Sequence, residues 1–262
     1  MSIPQPPAAT DDGERIAKVL ARAGVCSRRD AEKLIADRRV TVNGQTLTTP
    51  ATKVPPGARI AVDGVAVAAA EQSRMWRYHK PQGLVTTHRD PQGRRTVFDA
   101  LPKDLPRVVS IGRLDLNSEG LLLLTNDGTL SRRLELPATG WIRRYRVRVF
   151  GKVTQADLAK LGEGVTIDGV RYQPAQATLD RAQGGNAWLT VGLKEGKNRE
   201  VRRLMEHLGF RVNRLIRIAY GPFQLGALEP GAVEEIPQRV LRDQLGTAIA
   251  APSHGKVPKG SS

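Results

Sequence analysis

Cysteine is nearly absent from this chain. Cys26 stands alone in 262 residues, so no disulfide can close within it, and a reducing, cytoplasmic setting is expected. Histidine is scarce as well: His79, His88, His207 and His254 lie far apart with no pair at metal-ligand spacing, which argues against a zinc site. No apolar run approaches the roughly 20 residues a membrane span needs. No basic amphipathic helix carries a large aromatic face for a bilayer, so no membrane partner is expected. Met1 to Gly13 has no positive stretch leading into an apolar one; it does not read as a secretory signal but as a Pro- and Ala-rich disordered lead-in. Acids are the minority, 26 Asp and Glu against 41 Lys and Arg, for a formal net charge of +15. Such an excess favours a polyanionic partner, because each phosphate contact releases condensed counterions.

What is present divides into two parts. Between Glu14 and Gly64, Ile16, Val19, Leu20 and Ala23 recur at helical spacing and Gly24 is placed to end the helix. Ser27 precedes Asp30 by three, a helix-capping pattern, and Ala31, Leu34 and Ile35 supply the next apolar face. Val40-Thr41-Val42 runs into Asn43-Gly44, and Arg59-Ile60-Ala61-Val62 into Asp63-Gly64, two hairpin-turn signals. The polar faces carry Arg15, Lys18, Arg22, Arg28, Arg29, Lys33, Arg38 and Arg39, eight basic residues among three acids, which favours RNA or DNA contact over a merely solvated face. Ala66 to Ser73 lacks a pattern, so residues 65–73 read as a linker, 74–245 as a larger domain and 246–262, rich in Gly, Pro, Ser and Ala, as a disordered tail.

The larger part is expected to be α+β. Arg144 to Val149 alternates strictly, placing Tyr145, Val147 and Val149 on one sheet face and the arginines on the other. Val165 to Tyr172 reads as a hairpin and Ala187 to Leu193 as a strand. Asn198 to Leu208 reads as a helix with Val201, Leu204, Met205 and Leu208 on its core face and Gly209 at its end. Gly112 to Gly128 is the most informative segment. Arg113 and Asp115 sit in a Gly-bounded loop, a four-leucine run follows as a buried strand, and Asn126-Asp127-Gly128 turns the chain. From spacing alone Asp115 reads equally as a turn residue, Tyr145 as a core tyrosine and Arg202 as one solvated helix charge among several.

Four segments combine: Tyr78 to Gly83, expected as a turn after a short strand; Gly112 to Gly128; Arg143 to Val149; and Lys194 to Leu204. Together they closely resemble the RsuA/RluB branch of ribosomal RNA pseudouridine synthases, whose specific signature stands here as Gly112-Arg113-Leu114-Asp115 followed by Gly120-Leu121-Leu122-Leu123-Leu124-Thr125-Asn126-Asp127-Gly128. Ser110-Ile111, Leu116 to Glu119 and Asp90 to Asp99 look like the RluB subgroup, which acts on 23S rRNA. The N-terminal part resembles the alpha-L RNA-binding module of a ribosomal small-subunit protein and of tyrosyl-tRNA synthetases.

The resemblance implies a small N-terminal alpha-L RNA-binding domain followed by a mixed, mainly antiparallel sheet catalytic domain, acting as a monomer on 23S rRNA or a large-subunit precursor. It implies that Asp115 is the required aspartate, that Tyr145 stacks on the target base, and that Arg202 pairs with the catalytic carboxylate. It also implies substrate contact by Arg113, Lys80, Arg199 and Leu215, and RNA contact by Arg15, Lys18, Arg22, Arg28, Arg29, Arg38 and Arg39. His79 stands where asparagine is frequent, and Arg199-Glu200 where many relatives carry His-Gln, which bears on substrate choice more than on activity. Isomerising uridine cuts the bond from ribose to nitrogen, rotates the base and rejoins it through carbon-5. No redox step is involved, so no cofactor and no metal are expected. The base must leave its stack for a pocket with an aromatic face. A carboxylate acting as nucleophile or base must be ionised, a state that a nearby guanidinium favours. The competing readings are a non-catalytic RNA-binding assembly factor, which has no need of Asp115, Tyr145 and Arg202 together, and a DNA-binding regulator, whose recognition helix and dimer symmetry are not found.

Overall fold

In the computed structural model, which describes residues 13–246, the smaller N-terminal part and the larger part fold as separate units. The lead-in 1–12 and the tail from residue 247 lie outside the described residues. The first unit pairs helix α1 (Ile16–Arg22) with helix α2 (Arg28–Ala36), which starts where the Ser27 hydroxyl accepts the Asp30 N–H at 3.1 Å, the cap its spacing announced. A four-stranded sheet follows, from Val40–Val42, Gln45–Thr46, Ile60–Val62 and Val65–Ala66. Asn43-Gly44 and Asp63-Gly64 both turn with φ positive at each residue, as this two-residue hairpin requires. Ile16, Leu20, Ala31, Ile35 and Val40 are sealed from solvent, so the unit has a core of its own. Its last strand, Val65–Ala66, pairs with Ile60–Val62, so the sheet runs past the boundary expected at Gly64 and shortens the linker.

The second unit is built on nine strands: β1 (Met75–Lys80), β2 (Val109–Ile111), β3 (Glu119–Thr125), β4 (Arg143–Phe150), β5 (Gln176–Gln183), β6 (Asn186–Leu193), β7 (Arg211–Tyr220), β8 (Phe223–Gln224) and β9 (Val233–Glu235). They run in the order β5-β6-β4-β7-β3-β1-β9, with β2 against β3 and β8 against β7. Every pairing is antiparallel except β3 with β7. The helices are α3 (Gly128–Glu135), α4 (Gln155–Ala159), α5 (Glu200–His207) and α6 (Gln238–Leu245). All seven residues of β3 are buried, which explains why its sequence is an unbroken apolar run and not an alternation. On β4 the inward positions hold Tyr145, Val147 and Val149, and Arg144, Arg146 and Arg148 face water.

Two expectations are corrected. Met75 to Lys80 is one continuous strand, so His79 and Lys80 lie within the sheet and the turn starts at Pro81. Helix α5 begins at Glu200 and not at Asn198, because Arg199 takes a left-handed φ of 52°, through which a right-handed helix does not run. Among the described residues no helix is long and apolar enough to cross a membrane.

Candidate active site

The signature loop leaves β2, carries Arg113 and Asp115, and enters β3 at Glu119. Its backbone is tied at each step. The Gly112 N–H donates to the Glu135 carboxylate on α3 at 2.9 Å. Thr86 bonds Leu114 twice, its hydroxyl donating to the carbonyl at 2.8 Å and accepting the N–H at 3.3 Å. The Gly83 N–H reaches the Leu116 carbonyl at 2.9 Å. Gly120 then lets β7 come close. A Cβ there would stand 2.4 Å from the Arg217 carbonyl oxygen, so only glycine fits where the two strands meet in parallel.

Beside this loop lies a cavity of about 500 Å³, within the usual range for a small-molecule or base pocket. Asp115 and Arg113 line it from the loop, Tyr145 from β4, Leu215 from β7 and Arg199 from the segment before α5. The strand alternation thus brings Tyr145 and Leu215 to the same wall as the signature carboxylate. Tyr145 and Leu215 are buried, whereas Arg113 and Arg199 are exposed at the rim. The cavity sets the Asp115 carboxylate near an aromatic ring and an apolar side chain, with the cations of Arg113 and Arg199 at its mouth.

Two residues expected here stand elsewhere. Lys80 does not line the cavity. It is fully buried, and its ammonium donates to the carbonyls of Pro81, Asp115 and Ser118 at 3.0, 3.1 and 2.8 Å. Burial lowers its pKa to about 8, against the pull of the Asp115 and Glu119 charges. Its three bonds hold the loop from behind. Arg202 makes no ion pair with Asp115 among the described residues. Its guanidinium donates instead to the carbonyl of Asn117 at 2.9 Å and of Val212 at 3.4 Å. Burial and the neighbouring Arg199 lower its pKa, and the Asp115 charge acts on it in the opposite direction.

Sequence reasoning passed over three lining groups. Arg217, 2% exposed, donates to the carbonyls of Leu121 at 2.7 Å and Arg113 at 3.4 Å and keeps one buried guanidinium nitrogen without a partner. Arg143 is buried with its guanidinium on the Tyr220 hydroxyl at 3.0 Å. Both sit at inward positions of their strands, a parity that the sequence displays. Glu200, 3% exposed, accepts the Lys197 N–H at 2.9 Å. Burial and the nearby Glu195 outweigh that bond and raise its pKa to about 7. Glu195 stays below the usual carboxylate range despite burial, held there by the Lys197 ammonium and the Gln173 N–H. Nothing in the sequence distinguishes these two acids.

In the first unit Arg15, Arg28, Arg29 and Arg38 are exposed and make no ion pair among the described residues. Lys18 and Arg22 both reach Glu14, at 2.7 and 2.8 Å, and Arg39 grips Asp63 through two bonds. These three charges are partly met inside the protein, although surface pairs of this kind are weak and open readily to a stronger anion.

A sheet that holds a carboxylate over a base-sized cavity, in a chain with a separate basic module, defines an RNA-acting enzyme. Residues 74–207 match the RNA pseudouridylate synthase family, and residues 14–60 match the S4 domain. The chain is 50% identical over 228 residues to an uncharacterized RNA pseudouridine synthase of Rickettsia felis, covering 87% of this chain and 99% of that one. It is 44% identical over 232 residues to ribosomal large subunit pseudouridine synthase B of Pasteurella multocida, covering 86% and 67%. A solved pseudouridylate synthase superposes with a TM-score of 0.63 at 25% identity, over 88% of this chain and 99% of that one. The chain belongs to the RNA pseudouridine synthase family.

Proposed function

We propose that this enzyme converts a specific uridine of large-subunit, 23S ribosomal RNA to pseudouridine during ribosome maturation. The observation that carries the reading is the meeting of Asp115, Arg113, Tyr145 and Leu215 in one cavity. The similarity to large-subunit enzymes supports the choice of RNA. The reaction exchanges a ribose bond to N1 for one to C5; a proton leaves C5 and one joins N1, so atoms and electrons balance within the nucleoside. It asks for no oxidant, reductant or metal. Asp115 supplies the carboxylate that works on the glycosidic bond, and Tyr145 presents its ring to the flipped base. Leu215 walls the base from solvent. Arg113 and Arg199 meet the flanking phosphates, and Arg202 contributes positive potential. The first unit grips RNA through Arg15, Arg28, Arg29 and Arg38, with Lys18, Arg22 and Arg39 released to phosphate when it binds. The enzyme acts as a monomer in this reading. The substrate sets the reaction in the cytoplasm, where ribosomes assemble.

The test is to map pseudouridine across rRNA in cells lacking the gene, then in cells carrying it back as wild type or as Asp115→Asn. One 23S uridine should lose its modification and regain it only with wild type. An unchanged 23S map would overturn the reading.

A further inference from the structure

We propose that the water-facing side of β4, β6 and β7 is a second RNA-binding surface, which holds an rRNA segment remote from the target uridine. The inference rests on the rRNA reading above. Strands β4 to β7 together carry eight arginines and one acid, Asp180. Arg143 and Arg217 point to the cavity side. Arg144, Arg146, Arg148 and Arg211 are exposed on other positions and make no ion pair among the described residues. The register packs this charge densely. Arg148 stands opposite Arg214 on one side and Trp188 on the other, and Phe150 stands opposite Arg211. Like charges across a strand pair cost stability. Glu119 meets the Arg214 charge at 2.6 Å. Asp180, bonded at 2.9 Å to the hydroxyl of Thr190, which stands opposite Arg146, is a single acid beside the row and makes no ion pair with it among the described residues.

The aromatic residues on this face make RNA the fitting anion. The Arg146 guanidinium lies 4.8 Å over the Trp188 ring and the Arg211 guanidinium 5.8 Å from that of Phe150, which is 53% exposed. Rings and stacked guanidinium planes beside free cations form the kind of platform on which unpaired bases and their phosphates settle. Successive side chains of a strand point to opposite faces, so these arginines face away from Tyr145 and the cavity. One short hairpin offering its uridine to the cavity does not also cover them. A large folded RNA does.

Two triple variants of the full chain test this. Arg144→Gln with Arg146→Gln and Arg148→Gln neutralises the face; Arg132→Gln with Arg239→Gln and Arg242→Gln removes the same charge from exposed positions on α3 and α6. Each is titrated with a 23S rRNA transcript over a range of KCl, and turnover is followed on the same transcript. The first variant should bind about tenfold or more weakly, with a slope of log affinity against log salt about two shallower, since each phosphate no longer neutralised removes roughly 0.7–0.9. Its KM should rise with kcat at saturation kept. The second should change little. Equal behaviour of the two variants overturns the proposal, because then only net charge counts. Should saturating kcat also fall in the first, the matching triple Arg→Lys variant decides: recovered affinity supports the surface, and no recovery overturns it. A wild type that binds but forms no pseudouridine in 23S rRNA refutes the substrate reading alone, leaving the comparison of slopes intact.

Discussion

The ammonium of Lys80 donates to the main-chain carbonyl of Asp115 at 3.1 Å from a fully buried position. The same nitrogen bonds the carbonyls of Pro81 and Ser118, so its three donors meet three acceptors, a count that lysine alone among the side chains supplies from a single atom. The carboxylate proposed to do the chemistry thus sits on a backbone clamped from behind. Placing a catalytic group within a fraction of an ångström depends on such supporting contacts.

Lys80→Met should therefore lower kcat by about tenfold to a hundredfold, with RNA affinity nearly kept. The pH dependence of stability gives a second reading. The pKa of Lys80 is about 8 in the fold against 10.5 when unfolded. Below 8 both states hold the proton and the full cost of burying charge is present. Between 8 and 10.5 the unfolded chain binds more protons than the native one, so stability rises with pH, by about 3 kcal/mol in all. Thermal melts of both proteins from pH 7.5 to 10.5 should show the wild type gaining on Lys80→Met as pH rises. A constant gap would show that Lys80 does not release its proton in the fold.

Asp115→Asn should abolish pseudouridine formation and leave RNA binding within about twofold. The side chain lines the cavity, and the replacement has almost the same shape, so the fold should survive. Near-normal turnover by this variant on a 23S transcript would remove Asp115 from the reaction.

The elements of this fold were legible where local pattern and tertiary environment agree. The Ser27 cap, the Asn43-Gly44 and Asp63-Gly64 turns and the alternation from Arg144 to Val149 all stand as read. The motif loop and Leu215 also led to the cavity. What failed depended on geometry that no local pattern encodes. Lys80 looks like a rim cation until β1 is seen to carry it inward against the loop. Arg202 bonds the main-chain carbonyls of Asn117 and Val212, contacts between segments far apart in the chain that its helical spacing does not announce. Glu195 and Glu200 are ordinary acids in sequence, and only burial makes them interact.

Arg202 and Arg203 are neighbours with different surroundings. Arg202 donates to the Asn117 carbonyl in the signature loop at 2.9 Å, whereas Arg203 reaches the Tyr172 hydroxyl at 3.5 Å. Arg202→Met should slow single-turnover conversion at saturating RNA by about tenfold or more, because a bond at the loop's end and a charge that feels Asp115 disappear together. Arg203→Met should lose RNA affinity at most. Equal single-turnover rates for the two would show that Arg202 serves no purpose in the loop.

Deleting residues 1–64 should leave the second unit folded, since the two units bury separate cores. RNA affinity should fall and the salt slope become shallower by roughly 0.7–0.9 for each phosphate that the truncated protein leaves unneutralised. Arg15, Arg28, Arg29 and Arg38, exposed and without ion pairs among the described residues, account for most of that change. A truncated protein with the full-length slope would show that the first unit does not hold RNA.

Glu200→Gln isolates the buried pair of acids beside the cavity. In the wild type, burial and the facing Glu195 raise the Glu200 pKa from 4.5 to about 7. Between those values the native state holds a proton that the unfolded state has lost, so wild-type stability falls as pH rises through this window and stays reduced above it. Glutamine cannot ionise. Its carbonyl still accepts the Lys197 N–H, and its amide can donate to Glu195, so the local bonds are kept. Glu200→Gln should match the wild type near pH 4.5, become progressively more stable than it towards pH 7, and lead by on the order of 2 kcal/mol at pH 8. Glu200→Ala, which forfeits the bond to Lys197, should show the same pH trend from a lower starting point. Denaturant melts of the three proteins across pH 4.5 to 8 check this, and a gap between wild type and Glu200→Gln that does not widen with pH would mean that Glu200 is ionised in the fold throughout.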